Sequence, residues 1–194
     1  MVVKNIAVLF SGSGSNLQAI LEKVHGKIFK DIKINVALLI CNNPDAKGIE
    51  RAKKFGLETV VINHKDFSNR EEFDRAVVDE INKYSIDLTI LAGFMRILTP
   101  IFTDNIKAIN LHPSILPLFK GAHAITDSYY SDMQIGGVSV HWVSSELDSG
   151  QIIAQKTFAR KAKTLQEWEE KIHKIEHKLL PKTIIKILTK DKNV

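Results

Sequence analysis

An amide and an imidazole lie two residues apart within residues 109–117, as Asn110 and His112. The apolar residues Ala108 and Ile109 come directly before Asn110 and predict a strand. In a strand, the side chains at positions i and i+2 project to the same side. An amide donor beside a titratable imidazole suits acyl transfer, because the amide stabilises a developing oxyanion and the imidazole supplies a proton or a positive charge. The alternative is an Asn and a His that only terminate a strand, and these residues by themselves do not exclude it.

A second candidate site is the turn-rich segment of residues 11–16, Ser-Gly-Ser-Gly-Ser-Asn. An apolar run at residues 5–10 precedes it, and Leu17, Ile20 and Val24 follow at helical spacing. A strand, a glycine loop and a helix together form an anion site, because backbone N–H groups at the helix N-terminus face a phosphate. The loop lacks the third glycine of a dinucleotide fingerprint and the Gly-Lys-Ser/Thr of a P-loop. An ordinary strand-to-helix turn is the alternative.

The hydrophobic pattern predicts an α/β fold. Apolar runs predict strands at residues 5–10, 34–40, 59–62, 87–92 and 107–111, and helical spacing predicts helices at residues 17–25, 46–55 and 69–84. Right-handed crossovers between such strands give a Rossmann-like, mainly parallel sheet with helices on both faces. Ligands bind beyond the carboxyl ends of the strands in this kind of sheet. Both candidate sites are therefore expected at the same edge.

The second half of the chain differs in character. Alternating runs at residues 138–143 and 152–158 predict an antiparallel hairpin, with Asp148 in its loop. A short helix is predicted at residues 121–131, and Thr164 is expected to cap a long C-terminal helix that extends to about Leu188. We predict a single domain over residues 1–194, with a phosphate-binding parallel half at 1–110 and the hairpin and helix at 111–194.

Composition limits the class of protein. The 194 residues are 44% hydrophobic, which suits one compact domain, and the formal net charge is +5. Residues 160–192 contain ten Lys/Arg against five Asp/Glu. This excess of positive charge is compatible with binding to nucleic acid, anionic lipid or a phosphorylated metabolite, but a solvent-exposed helix face rich in lysine explains it more simply. The single cysteine, Cys41, excludes a disulfide framework. Without a signal peptide or membrane span, we expect a cytoplasmic monomer or homodimer that binds small molecules and neither nucleic acid nor membrane.

Four motifs occur in order along the chain: SGSGSNL at residues 11–17, AGFMRIL at 92–98, NLHPS at 110–114 and GVSVHWVSSELDSG at 137–150. Together they resemble the folate-dependent formyltransferases, and the glycine loop resembles the phosphoribosylglycinamide formyltransferase family of purine synthesis. The resemblance covers nearly the whole chain. It implies transfer of the formyl group of 10-formyltetrahydrofolate to the amine of glycinamide ribonucleotide.

The resemblance also implies three groups of site residues. The catalytic positions are matched by Asn110, His112 and Asp148. The loop that binds the substrate phosphate is matched by Gly14, Ser15 and Asn16, and an acid that contacts the same substrate is matched by Glu176. The folate side is matched by Arg70, Met95, Arg96, Ile97, Leu98, Ser144, Ser145, Glu146, Leu147 and Asp148, with Asn110 also adjoining the folate.

The implied reaction is direct attack of the substrate amine on the formyl carbon of the folate co-substrate, through a tetrahedral intermediate and without a metal. Asn110 and protonated His112 would stabilise the oxyanion, and Asp148 would favour the charged form of His112. Two positions depart from the family pattern. Ile125 replaces a second histidine found in many members, and Ser145 stands where an acid is common.

Other functions stay open at the level of sequence. Residues 173–177, His-Lys-Ile-Glu-His, fit a zinc-protease pattern, but tetrahedral zinc needs a third protein ligand and Asp191 is the only acid that follows. A formyltetrahydrofolate hydrolase usually has a preceding regulatory domain, and a methionyl-tRNA formyltransferase has an extra C-terminal domain. A nucleotide-binding module that uses only the glycine loop is a non-enzyme alternative, and it would not require Asn110, His112 and Asp148.

Overall fold

A computed structural model describes residues 1–190, and these residues form a mixed, eight-stranded sheet. The strands are β1 (Val2–Phe10), β2 (Lys27–Phe29), β3 (Ile32–Cys41), β4 (Val60–Val61), β5 (Leu88–Leu91), β6 (Ala108–His112), β7 (Ile135–Trp142) and β8 (Ile152–Ala159). Their spatial order is β2-β3-β1-β5-β6-β7-β8, and β4 pairs with the end of β3. The pairs β1–β3, β1–β5, β3–β4 and β5–β6 are parallel, whereas β2, β7 and β8 pair antiparallel with their neighbours. The sheet therefore continues from the first half of the chain into the second.

Helices cover both faces of this sheet. They are α1 (Ser15–Lys23), α2 (Lys47–Lys53), α3 (Arg70–Asn82), α4 (Pro100–Thr103), α5 (Ala124–Tyr130) and α6 (Leu165–Leu188), with a 3-10 turn at His64–Asp66. Alternate residues of β1 face opposite sides, as the strand period requires. Ile6, Val8 and Phe10 pack with α1, α2 and α6, whereas Ala7 and Leu9 pack with α3 and α4. These observations confirm the predicted fold class, including the added hairpin and the long C-terminal helix.

The structure differs from the prediction at the β2–β3 hairpin. The predicted strand began at residue 34, but β3 begins at Ile32 and pairs with β2 through a two-residue turn at Lys30 and Asp31. Both turn residues have positive φ, 48° and 64°. Turns of this kind usually use Asn or Gly, so Lys-Asp gave no local signal. The edge strand β2 is also largely exposed and lacks an apolar run.

Helix α6 contains Pro181 within its length. Proline has no backbone N–H, so the carbonyl of His177, four residues earlier, loses its helical donor. The ammonium of Lys23 in α1 donates to that carbonyl at 2.6 Å. Helix α1 thereby satisfies the interrupted turn of α6 and fixes the two helices side by side. Within residues 1–190, none of the helices is both long enough and apolar enough to cross a membrane.

Candidate active site

A cleft of about 800 Å³ opens at the carboxyl ends of β1, β3, β5 and β6. Folds of this kind bind their ligands at this edge, because the loops that follow parallel strands converge there. Residues 11–16, 93–98 and 144–148 all line the cleft, together with Asn110 and His112. Both candidate sites predicted from sequence therefore open into one cavity.

Asn110, His112 and Asp148 meet in this cleft. Asn110 and His112 are alternate residues of β6, and Asp148 lies in the loop between β7 and β8. Nδ2 of Asn110 donates to Oδ1 of Asp148 at 3.3 Å. Nδ1 of His112 lies 3.3 Å from Oδ2 of the same carboxylate. The three residues matched to the catalytic positions thus form one polar cluster around a single carboxylate.

Asp148 is buried, with its side chain 6% exposed. Burial disfavours the ionised form, but hydrogen bonds from His141 and from the N–H of Gly121, together with the charge of His112, outweigh burial and lower the pKa of Asp148 below its ordinary value. The Gly121 N–H donates to Oδ2 at 2.9 Å. Asp148 has a left-handed backbone, φ 50°, which aspartate tolerates better than most residues. The carboxylate is therefore ionised at neutral pH and held from several directions.

The ring of His112 lies between two hydrogen-bond acceptors. Nε2 of His112 lies 2.8 Å from the carbonyl of Phe119, which can only accept, so Nε2 bears a proton. Nδ1 faces the carboxylate of Asp148. A neutral ring can donate to only one of these two acceptors, whereas an imidazolium donates to both. The ring is thus oriented by a carbonyl on one side and by a negative charge on the other.

His141 belongs to the same cluster, although the sequence prediction did not include it among the site residues. It lies in β7 directly opposite Asn110 of β6 and is 2% exposed. Its Nε2 lies 3.2 Å from Nδ2 of Asn110 and 3.6 Å from Oδ1 of Asp148. Its Nδ1 lies 2.8 Å from the carbonyl of Trp142, which can only accept, so Nδ1 donates to it. One feature of the sequence could have indicated His141: it occupies an inward-facing position of a strand with alternating hydrophobicity. A buried histidine needs a polar partner, so this position predicts a polar contact.

The glycine loop forms the N-terminus of α1. Gly14 precedes the first helical residue with a left-handed φ of 71°. A Cβ at Gly14 would lie 2.5 Å from Cα of Gly48, so glycine is required for space as well as for conformation. The first N–H groups of α1, at Ser15 and Asn16, have no acceptor within the helix and can bind an anion. Nδ2 of Asn16 donates to Oε2 of Glu176 in α6 at 3.1 Å, which places the predicted phosphate loop beside the predicted substrate acid.

Exposed apolar side chains line another part of the cleft. Met95 is 67% exposed, Ile97 52% and Leu147 46%. Large apolar groups exposed around a cavity indicate a surface that binds the apolar part of a ligand. The N–H of Met95 donates to Oγ of Ser11 at 2.7 Å, so the 93–98 segment is fixed to the glycine loop. The predicted folate-side residues Arg96, Leu98, Ser144, Ser145 and Glu146 also line the cleft.

Among the predicted folate-side residues, Arg70 lies apart from the cleft. It is exposed at the first position of α3 and is not among the cleft-lining residues of the described chain. His64 and Lys65, from the preceding 3-10 turn, line the cleft instead, and the sequence pattern did not single them out. Both positions that depart from the family pattern, Ile125 and Ser145, face the cavity. Those two departures therefore alter its wall.

The His-Lys-Ile-Glu-His segment lies on α6 without forming a metal centre. The rings of His173 and His177 stack with centroids 6.3 Å apart, and Nδ1 of His173 pairs with Oε2 of Glu176 at 2.8 Å. Within residues 1–190, no group of three His, Cys, Asp or Glu side chains is arranged to hold a metal ion. The acid considered as a further ligand, Asp191, lies outside the described residues.

Comparison with known families identifies the class of protein to which this fold and cleft belong. The family model described as formyl transferase matches residues 4–184, which is nearly the whole chain. The chain belongs to the formyl transferase family. The resemblance of its four motifs to folate-dependent formyltransferases is thereby confirmed.

Relatives within the family define the group more closely. Phosphoribosylglycinamide formyltransferase of Bacillus subtilis (strain 168) is 35% identical over 189 residues, which cover 96% of this chain and 95% of the relative. The crystal structure of phosphoribosylglycinamide formyltransferase from Campylobacter jejuni is 58% identical and superposes with a TM-score of 0.95, covering 97% of this chain and 99% of that one. The human trifunctional purine biosynthetic protein adenosine-3 is 38% identical over 179 residues, which cover 91% of this chain and 17% of that protein.

Proposed function

We propose that this chain transfers the formyl group of 10-formyltetrahydrofolate to the amine of glycinamide ribonucleotide. The products are formylglycinamide ribonucleotide and tetrahydrofolate. One observation supports this proposal above the others: Asn110, His112 and Asp148 meet in the cleft that also contains the helix N-terminus at Ser15 and Asn16. Groups suited to acyl transfer and a site suited to a phosphate therefore share one cavity. The name of the relatives matched over almost their full length agrees with this activity.

In the proposed reaction, the substrate amine attacks the formyl carbon, and a carbon–nitrogen bond forms as the carbonyl oxygen becomes negative. The bond from that carbon to the folate nitrogen then breaks, and the proton lost by the amine ends on the folate nitrogen. Asn110 and charged His112 would stabilise the oxyanion, and Asp148 would hold both in place. Because Nε2 of His112 donates to the carbonyl of Phe119, a direct bond to the oxyanion requires that this carbonyl be replaced as the acceptor. Through-space stabilisation by the imidazolium does not require the exchange.

The cleft suits both substrates. The N-terminus of α1, bounded by Gly14, would bind the ribonucleotide phosphate, and Glu176 would contact the same substrate. The exposed apolar side chains of Met95, Ile97 and Leu147 would contact the folate rings, and backbone groups of the 95–98 and 144–148 segments would bind the polar edge of the pterin. We further propose that no metal takes part. The cytoplasmic location and the oligomeric state stay predictions from the sequence.

The deciding experiment measures formyl transfer from 10-formyltetrahydrofolate to three acceptors in parallel: glycinamide ribonucleotide, water and initiator tRNA. We expect turnover with the ribonucleotide to exceed that with water or tRNA by several orders of magnitude. Dominant hydrolysis would instead identify a formyltetrahydrofolate hydrolase, and dominant tRNA formylation would identify the tRNA enzyme. Ribonucleotide binding without turnover on any acceptor would identify a nucleotide-binding module.

A further inference from the structure

Glu176 is a buried carboxylate beside the anion site. It is 4% exposed, and its Oε2 accepts from the side chain of Asn16 in the first turn of α1. In the proposed function, the N–H groups of this turn bind the substrate phosphate. A carboxylate and a phosphate are both anions, so they repel each other, and the repulsion grows where water is excluded. A positive charge next to Glu176 would relieve this repulsion.

His173 is placed to supply that charge. Its Nδ1 lies 2.8 Å from Oε2 of Glu176, the same oxygen that accepts from Asn16, and its Nε2 lies 3.5 Å from Oε1 of Glu169. A neutral ring could donate to only one of these carboxylates. The hydrogen bond to Glu176 raises the pKa of His173 above its ordinary value, although burial acts in the opposite direction. His173 also lines the cleft, next to the glycine loop in the same cavity.

The other charged groups nearby do not replace His173 in this role. His177, stacked against it, has a pKa lowered by burial and by the charges of His173 and Lys23, so it favours the neutral form. Residues 11–16 contain no ionisable side chain. Arg51 of α2 is a permanent cation, and its guanidinium donates to the carbonyl of Ser13 and to the side chain of Gln18. Its charge is therefore constant over the range in which a histidine titrates.

We propose that protonated His173 neutralises Glu176 and thereby allows a phosphate dianion to bind at the N-terminus of α1. His173 is then a positioning residue that acts through Glu176, and the His-Lys-Ile-Glu-His segment is a charge-compensating device instead of a metal-binding motif. This inference rests on the proposed function, because it takes the phosphate of the ribonucleotide as the anion. Affinity for the ribonucleotide is high while His173 is protonated and is lost as the pH rises through its pKa.

The experiment compares the KM for glycinamide ribonucleotide at pH 6 and pH 9 in wild type, His173→Lys and His173→Gln. At pH 6 the wild type should match His173→Lys, and His173→Gln should have a KM higher by about 5- to 150-fold, the usual range for coupled sites. At pH 9 the wild type should instead approach His173→Gln, while His173→Lys keeps its low KM. The turnover number and the folate KM should stay within about twofold. Comparing variants at one pH cancels the titration of the substrate itself.

The matched control is His177→Gln, which changes the other histidine of the segment and should retain the wild-type pH profile. Parallel pH profiles for wild type and His173→Gln would overturn the proposal. If His173→Lys does not fold, Glu176→Gln gives the same test, because removing the carboxylate should abolish the alkaline rise in KM. A rise that persists in Glu176→Gln would also overturn it.

Binding of ribose 5-phosphate, measured by calorimetry at both pH values, requires no turnover. It therefore separates the two proposals. A protein that binds ribose 5-phosphate more tightly at pH 6 in a His173-dependent way, yet formylates no ribonucleotide, would overturn only the proposed function. Equal dependence on pH in wild type and His173→Gln would overturn the role of His173.

Discussion

Replacing Gly14 with alanine tests the phosphate loop by a change of one methyl group. The added Cβ would lie 2.5 Å from Cα of Gly48, about 1 Å closer than ordinary van der Waals contact, and the residue must also keep φ 71°. The left-handed conformation costs alanine about 1–2 kcal/mol. Relief of the clash must move either α2 or the first turn of α1, because Cα of Gly48 is a backbone atom and the backbone of residue 14 fixes the position of the Cβ.

A shift of about 1 Å breaks a hydrogen bond of ordinary length. A hydrogen bond to a charged group contributes about 1.5–3 kcal/mol, so losing one N–H from the phosphate should raise the KM for the ribonucleotide by about 10- to 150-fold. The folate KM should change by less than about twofold, because the clash with Gly48 involves α2 and the first turn of α1, whereas the proposed folate segment at residues 93–98 contacts the glycine loop at Ser11, before Gly14. Steady-state kinetics with each substrate varied in turn, together with thermal unfolding, measure both effects.

The matched control is Gly26→Ala, past the other end of α1. Gly26 has the same φ of 71°, but a Cβ there would meet no other atom of residues 1–190 within 4 Å. This variant should lose stability through the left-handed strain alone and keep both KM values. Equal damage to the ribonucleotide and folate KM values in Gly14→Ala would show that the loop is structural. A ribonucleotide KM that is unchanged would refute the geometric argument.

Three further predictions concern the proposed catalytic cluster and the pair of helices α1 and α6. Asn110→Ala should lower the turnover number by about 100-fold or more and change the KM values much less, because the proposed role of its amide is to stabilise the transition state. A normal turnover number would exclude that role. Because the pKa of Asp148 is lowered in the folded protein, its ionised form stabilises the fold above about pH 4, and this contribution is lost as the pH falls through the folded-state pKa. The difference in Tm between wild type and Asp148→Asn should therefore become smaller from pH 6 to pH 3. A difference in Tm that stays constant would contradict this prediction. Lys23→Met should lower the free energy of unfolding by about 1 kcal/mol, because the carbonyl of His177 loses its donor. The loss should be smaller in the Pro181→Ala background, where the alanine N–H donates to the same carbonyl. Additive effects in this double-mutant cycle would show that the Lys23 hydrogen bond does not compensate for the proline.

The sequence determined those features that depend on a few neighbouring residues. Alternation along β1 and helical spacing after Gly14 follow from the local period of each element, so the strands, the helices and the glycine loop were predictable. The spacing of Asn110 and His112 placed both side chains on one side of β6 for the same reason. The β2–β3 hairpin was missed because its turn, Lys30-Asp31, adopts positive φ without the residues that normally signal it.

Only the tertiary structure decided which distant side chains meet. The pairing of β6 with β7 sets Asn110 opposite His141, and a slip of one residue would turn His141 to the other face. The contact between Asn16 and Glu176 joins residues 160 positions apart, because α1 and α6 pack on the same face of the sheet. The position of Arg70 outside the cleft likewise depends on where α3 packs against the sheet, which the residue type does not encode. Features that involve a few neighbouring residues follow from the order of those residues. Distances across the cleft depend instead on strand order, register and helix packing, which many contacts between distant residues fix together.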